Sequence, residues 1–483
     1  MRNTSLLIGD DDRPSSSGAT FERANPLTGA VASRAVAASP DDAKAAVAAA
    51  AAAFAAWSEV GPGERRAKLS LAASLLEQRV DDFVETMAEE TGATRGWAHF
   101  NVQLAANMLR EAASMVTQIG GEVIPSDRPG LIAMALRQPV GVVLGIAPWN
   151  APVILGVRAL AMPLACGNTV VLKASEICPA THGLIGTVLR EAGLGGGIVN
   201  VISNAPEDAA KIVETLISQP VVRRVNFTGS TRVGRTIAEI AARHLKPVLL
   251  ELGGKAPFVV LDDADLDEAV SAAAFSGFMN QGQICMATER IVVDASVADM
   301  FAGKLKAKAE TLIAGDPRTA NTPLGSVIGL AAIERLDGLV KDALTKGARL
   351  LAGGTIRGTL MDATVLDHVT PAMRVYGEES FGPMVCIVRV SGVDEAVRVA
   401  NDTDYGLAAA VFGRDIGRAL GVARRIESGI CHVNGPTVHD EAQMPFGGVK
   451  ESGYGRFGGR AAIAEFTELR WITISTAPGH YPI

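Results

Sequence analysis

Val140-Gly141-Val142-Val143-Leu144-Gly145-Ile146 is an apolar run that leads into the turn Pro148-Trp149-Asn150, after which Pro152 opens a helical stretch. The same rhythm recurs downstream. Short runs rich in Val, Ile and Leu, at Thr169–Leu172, Ile198–Ile202, Val221–Phe227, Val248–Leu250 and Phe258–Leu261, alternate with stretches of helical period. Strands apolar on both faces and separated by helices predict a parallel sheet covered on both sides, an α/β fold. A second α/β set follows, with Ile291–Val293, Val385–Val390, Ala408–Phe412 and Ile430–Val433. Two lobes with a cleft between them is the economical arrangement. Residues 121–138 and the tail after 466 fit neither lobe. The tail alternates at Trp471, Thr473 and Ser475, as a half-exposed strand does.

Upstream, residues 40–117 read as helices. Ser39 is placed to N-cap the first, with Pro40 at its first position and Asp41 and Asp42 in its first turn. Asp81 is a candidate cap for a later segment, which Gly92 ends. The longest apolar run, Ala45–Ala56, is too short to span a bilayer. The first residues, MRNTSLLIGDDDRP, have no apolar signal-peptide region. With 483 residues, 48% hydrophobic and 20% charged, the chain reads as a multidomain globular protein. Its net charge is −7 without a long Lys/Arg run, which argues against nucleic acid as a partner. Five scattered cysteines with no CxxC give no support for a metal site and suit a reducing cytoplasm.

Several residues carry chemical interest. Cys285 ends Asn280-Gln281-Gly282-Gln283-Ile284-Cys285, a loop rich in amides. Amide dipoles favour a nucleophilic thiolate there; the alternative is a buried small hydrophobe, the reading that suits Cys386 and Cys431. Glu251 closes an apolar strand before Gly253-Gly254. It is either a general base with a pKa raised by burial or an ion-pair partner of Lys255. Asn150 is either an N-cap or a donor to an oxyanion. Phe227-Thr228-Gly229-Ser230 joins a strand to a helix, as a dinucleotide site does, without GxGxxG. The match at Gly453–Gly458 follows no apolar strand and is set aside. Lys173 and Glu176 at the next strand end suit ribose hydroxyls, or form a solvated pair.

In this order the segments Pro148-Trp149-Asn150, Lys173-Ala174-Ser175-Glu176, Phe227-Thr228-Gly229-Ser230, Glu251-Leu252-Gly253-Gly254-Lys255, Asn280–Cys285, Glu379-Ser380-Phe381-Gly382-Pro383 and Pro445-Phe446-Gly447-Gly448 resemble the aldehyde dehydrogenase superfamily over nearly the whole chain. Its bacterial aromatic-aldehyde branch is the most similar. The resemblance implies a Rossmann-like NAD-binding domain (1–120 and 139–250), an α/β catalytic domain (251–450) and a small β oligomerisation element (121–138 and 451–483) in a cytoplasmic homodimer or homotetramer. It implies that Cys285 attacks the aldehyde, that Asn150 and the Cys285 N–H hold the oxyanion, and that Glu251 activates water against the thioester. NAD, with NADP a weaker alternative, would lie against Trp149, Lys173, Ser175, Glu176, Gly229, Ser230, Gly234, Leu252, Glu379 and Phe381. The aldehyde would meet Ala151, Arg158, Ile284 and Phe446.

Ala151 replaces the bulky aromatic common at this position in the superfamily and leaves room for a ring. Asn150, Ile154 and Arg158 follow i, i+4, i+8 spacing, so Arg158 either lines the tunnel and holds a ring hydroxyl or phenolate, or makes a salt bridge. The expected reaction is NAD-dependent oxidation of an aromatic aldehyde. A broad or aliphatic substrate range, a CoA-acylating relative and a cysteine hydrolase are the alternatives. After Tyr454-Gly455-Arg456 the chain has Phe457 where some relatives carry a glutamate tied to proton relay, which leaves Glu251 and water to move the proton.

Overall fold

The computed structural model describes residues 1–319, 321–478, 481 and 483. Five parallel strands form the centre of the first sheet, in the spatial order Val248–Glu251, Val222–Thr228, Val142–Ile146, Thr169–Lys173, Val199–Ile202. Strand order reverses between Val142–Ile146 and Val222–Thr228. Ligands of open α/β sheets bind outside the carboxyl ends of strands at such a reversal. The turns there are Pro148-Trp149-Asn150 and Gly229-Ser230, so topology brings two sequence-predicted segments to one crevice. The run at Val140–Ile146 is split: Gly141 takes φ 130° and ends a preceding strand, Leu131–Pro139.

The second sheet holds Thr364–Asp367, Met384–Val390, Thr288–Asp294, Ala256–Val260, Ala408–Phe412 and Ile430–Val433 in that order, all parallel, with Arg349–Ala352 antiparallel at one edge. The run near Phe258 thus belongs to the second sheet, not the first. Glu251 ends the last parallel strand of the first sheet, and Ala256 begins the second one five residues later. Glu251 is therefore at the crossing between lobes.

Residues 122–124, 131–139 and 467–475 make a separate three-stranded antiparallel sheet in which Trp471 faces Ala135. Residues 451–466 do not join it. Gly453–Tyr454 pairs with Val248–Glu251, and Phe457 pairs with Phe446. The N-terminal strands Leu6–Ile8 and Asp11–Arg13 extend the first sheet, and Arg2–Thr4, Thr20–Ala24 and Val31–Val36 form a small sheet of their own. These are three to six residues long, too short to show a period in the sequence.

The helical region is Pro40–Ser58, Pro62–Gln78, Val80–Thr91 and Arg95–Met115. Ser39 accepts from Asp41 and Asp42 N–H groups at 3.2 Å each, and Asp42 accepts from the Ser39 N–H at 2.8 Å, a reciprocal cap. Gly92 ends its helix with φ 71°. Asp81 makes no cap: Arg79 holds that position and Asp81 lies in the first turn. Among the described residues no helix is long and apolar enough to cross a membrane.

Candidate active site

The helix Leu266–Phe278 runs into a short turn, Met279–Gly282, in which Asn280, Gln281 and Gly282 take φ 49°, 56° and 67°. Left-handed backbone at a residue other than glycine costs on the order of 1–3 kcal/mol and persists only when neighbours hold it. Side chains hold it here. Gln281 Nε2 donates to the Ser326 carbonyl at 2.9 Å, and its Oε1 accepts from the Gly325 N–H at 2.8 Å. Gln283 Oε1 accepts from the Ile328 N–H at 3.0 Å. Asn280 Nδ2 donates to the Asn150 carbonyl at 2.9 Å. The amides before Cys285 thus fasten the loop; the sequence suggested them instead as dipoles for a thiolate. At Gly282 a Cβ would lie 2.0 Å from the Gly382 carbonyl, so only glycine fits.

This loop presents Cys285 to Asn150. Asn150 Nδ2 donates to the Gln283 carbonyl at 3.0 Å, leaving a second N–H, and Trp97 Nε1 holds the Asn150 carbonyl at 2.9 Å. Asn150 is not an N-cap: Ala151 occupies that position of the helix Pro152–Ala165. Glu251 is fully buried, and among the described residues neither of its carboxylate oxygens has a formed hydrogen bond. It faces the Cys285 thiol. Burial pushes its pKa up to about 7, opposed by the Arg158 charge. Burial and the Glu251 charge push the Cys285 thiol well above its ordinary value. The ion pair with Lys255 does not form, because the Lys255 ammonium donates to Glu289 at 2.5 Å and to the Glu378 carbonyl at 2.7 Å.

A cavity of about 370 Å³ leads to Cys285, within the range of small-molecule sites. Ala151, Arg158, Ile284 and Phe446 line it, as the sequence suggests. Trp97, Phe100, Phe275, Met279 and Val438 line it as well. These five carried no signal of their own, since an isolated aromatic, Met or Val reads as core. Arg158 lines the cavity and also makes the salt bridge. Its guanidinium is paired with Asp440, both side chains almost wholly buried, and lies 4.1 Å over the Phe446 ring while facing the cavity.

On the other side of Cys285 lie the candidate cofactor residues. Lys173 and Glu176 are paired, and Asn204 Nδ2 donates to the same Glu176 oxygen at 2.9 Å. Ser175 is buried, its N–H on His182 Nδ1 at 3.0 Å. Ser230 caps the helix Thr231–Arg243, its hydroxyl accepting from the Val233 N–H at 3.4 Å. Gly229 is tied to the Glu251 carbonyl at 3.0 Å. A Cβ on Gly234 would lie 2.5 Å from the Leu252 side chain, so glycine lets this helix close on the strand end. Glu379 accepts from the Gly254 N–H at 2.9 Å, and burial raises its pKa to about 7. Trp149 and Phe381 meet edge to face at 5.8 Å.

One organiser escaped the sequence reading. Glu289 takes the Ser380 N–H at 2.7 Å and the Phe381 N–H at 2.9 Å as well as the Lys255 ammonium. It fixes the Glu379–Phe381 turn, where Phe381 has φ 45°. Its signal was present: Glu289-Arg290 stands directly before the apolar run Ile291–Val293, and buried charges need partners.

Residues 13–472 match the aldehyde dehydrogenase family, and the chain belongs to it. It is an aldehyde dehydrogenase with the mixed α/β architecture of that family. Over 483 residues it is 63% identical to vanillin dehydrogenase of Pseudomonas fluorescens, covering 100% of both chains. Over 480 residues it is 51% identical to salicylaldehyde dehydrogenase of Pseudomonas putida, covering 99% of each. The crystal structure of a salicylaldehyde dehydrogenase from Pseudomonas putida G7 complexed with salicylaldehyde superposes with a TM-score of 0.98 at 50% identity, covering 100% of both chains.

Proposed function

We propose that this aldehyde dehydrogenase oxidises an aromatic aldehyde to its carboxylic acid with NAD, through a thiohemiacetal and a thioester on Cys285. The observation that carries the reading is the apolar cavity ending on Cys285, with Asn150 on one wall and the buried, unpartnered Glu251 carboxylate beyond the thiol. In the proposed sequence Glu251 takes the thiol proton and the Cys285 sulfur adds to the aldehyde carbon. The free N–H of Asn150 and the Cys285 backbone N–H hold the developing oxyanion. Each such donor is worth about 3–4 kcal/mol of barrier. The thiohemiacetal gives up its hydride and becomes a thioester. The proton that Glu251 took from the thiol passes to solvent. Glu251, a carboxylate again, then takes a proton from water, which attacks the acyl carbon, and the Cys285 thiolate leaves as the acid is released.

The residues opposite the cavity fit a dinucleotide. Among the described residues Glu176 Oε2 makes no hydrogen bond, the Gly229-Ser230 turn opens a helix N-terminus at the strand-order reversal, and a Cβ on Gly253 would lie 2.8 Å from the Glu379 carboxylate. Lys173 and Glu176 would hold the adenosine ribose, Gly229 and Ser230 the pyrophosphate, and Glu379 the nicotinamide ribose. Trp149, Ser175, Gly234, Leu252 and Phe381 would shape the walls. NAD supplies the hydride acceptor when bound. A carboxylate repels a 2′-phosphate, which supports NAD over NADP.

Substrate size is read at Ala151. Wild-type kcat/KM is expected to be higher for benzaldehyde and its hydroxylated forms than for acetaldehyde, followed by the absorbance of reduced nicotinamide with NAD and with NADP. Ala151→Phe is expected to lose benzaldehyde turnover more than acetaldehyde turnover. Equal losses, or a wild-type preference for acetaldehyde, would remove the aromatic assignment and leave the dehydrogenase.

The pH dependence follows from Glu251. Its raised pKa means that the base form is lost as pH falls through about 7. The kcat/KM for an unionisable aromatic aldehyde is therefore expected to rise with pH through an apparent pKa near 7, and Glu251→Gln is expected to abolish that limb. The limb belongs to the Glu251–Cys285 pair. A flat profile between pH 6 and 8, a window of roughly one unit on each side, would contradict the role.

The three-stranded sheet of 122–124, 131–139 and 467–475 leaves Val123, Leu469 and Trp471 exposed, by 75% at Trp471. This supports its use in assembling a homodimer or homotetramer. The five free cysteines are consistent with a cytoplasmic enzyme.

A further inference from the structure

The strand Val199–Ile202 lies parallel to Thr169–Lys173, with Ile202 opposite Lys173 and the Ala174 N–H on the Ile202 carbonyl at 2.8 Å. Two residues beyond Ile202, Asn204 is therefore brought against the turn that carries Glu176. Asn204 is fully buried. Its Nδ2 donates to Glu176 Oε1 at 2.9 Å and to the Ala205 carbonyl at 2.8 Å. Both neighbours are acceptors, so the amide has one allowed orientation, NH₂ toward Glu176. Its Oδ1 is buried with no partner among the described residues. The end that is satisfied is the one that faces the carboxylate.

We propose that Asn204 is a positioning residue for cofactor choice: it fixes the Glu176 carboxylate so that Oε2 meets the ribose 2′-hydroxyl and a 2′-phosphate is refused. The inference rests on Glu176 as a ribose ligand. Lys173 shares Glu176 Oε1, but its ammonium is on a flexible stem and is itself assigned to the ribose. When Lys173 turns to the nucleotide, Asn204 is the donor that still holds Glu176. Without it the carboxylate is free to swing aside and admit the phosphate.

The test is the dissociation constant of the intact enzyme for NAD and for NADP, read by quenching of protein fluorescence, alongside kcat/KM with each. Asn204→Leu keeps the volume and removes the donor; Asn204→Ala is the second variant should leucine prevent folding. Either is expected to lower the NADP-to-NAD ratio of dissociation constants by roughly tenfold, the scale of one hydrogen bond to a charge. In a Glu176→Gln background the same change is expected to leave the ratio where Glu176→Gln alone puts it. Equal weakening of both cofactors, or an unchanged ratio, would make Asn204 structural only and overturn the proposal. If Glu176→Gln by itself leaves the ratio at the wild-type value, the ribose assignment of Glu176 falls, a separate failure from that of Asn204.

Discussion

Cys285→Ala is expected to reduce formation of NADH by roughly 10⁴-fold or more, the scale of losing a nucleophile. No other thiol is placed to replace it. Cys166, Cys178 and Cys386 are fully buried; burial pushes Cys166 up to about 12 and raises the other two. Cys431 is on the strand Ile430–Val433, with its thiol pushed up to about 11. Because Asn150 and the residues proposed to hold the cofactor remain, the variant is expected to bind NAD normally, and a fluorescence titration separates lost chemistry from lost folding. Residual turnover within a hundredfold of wild type would place the nucleophile elsewhere.

Glu251→Gln is expected to lower steady turnover by ~10²–10⁴-fold, the scale of general-base catalysis. The geometry adds a second consequence. Glu251 faces a thiol that burial keeps protonated, so the first-turnover burst of NADH is expected to slow as well. Removing the glutamate charge also removes one cause of the raised thiol pKa. Raising the pH is therefore expected to restore the burst while steady turnover stays low, since deacylation still lacks its base. A burst at the wild-type rate at neutral pH would confine Glu251 to the hydrolytic step.

What the sequence revealed follows from what is local. Ser39 and Gly92 end helices through their own geometry, and apolar runs such as Ala408–Phe412 and Ile430–Val433 coincide with strands because both faces are buried. Cys285, Glu251 and Asn150 were legible because each stands at a break in a periodic segment. Their convergence was legible only through resemblance, since 34 residues separate Glu251 from Cys285 and the pairing of lobes leaves no local mark. Trp97 and Asp440 were missed for the same reason, and Glu289 showed its charge in the sequence but not its partners. Each acts on a partner far along the chain, Trp97 on Asn150, Asp440 on Arg158 and Glu289 on the turn at Phe381. The strand edge at Gly453–Tyr454 is two residues long and shows no period.

Ala151 stands at the N-cap of the helix Pro152–Ala165 and contributes no side-chain cap. Serine, threonine or aspartate there would stabilise the helix by about 1 kcal/mol. Each would also set a polar atom on the cavity wall beside the oxyanion donor. The chain thus forgoes an available increment of stability at a residue that lines the cavity ending on Cys285. Because that side chain is a single methyl group and no cap hydrogen bond depends on it, the position is open to change under selection for a different aldehyde: specificity can drift here while the scaffold, and the carbonyl of Asn150 held by Trp97, stay where they are.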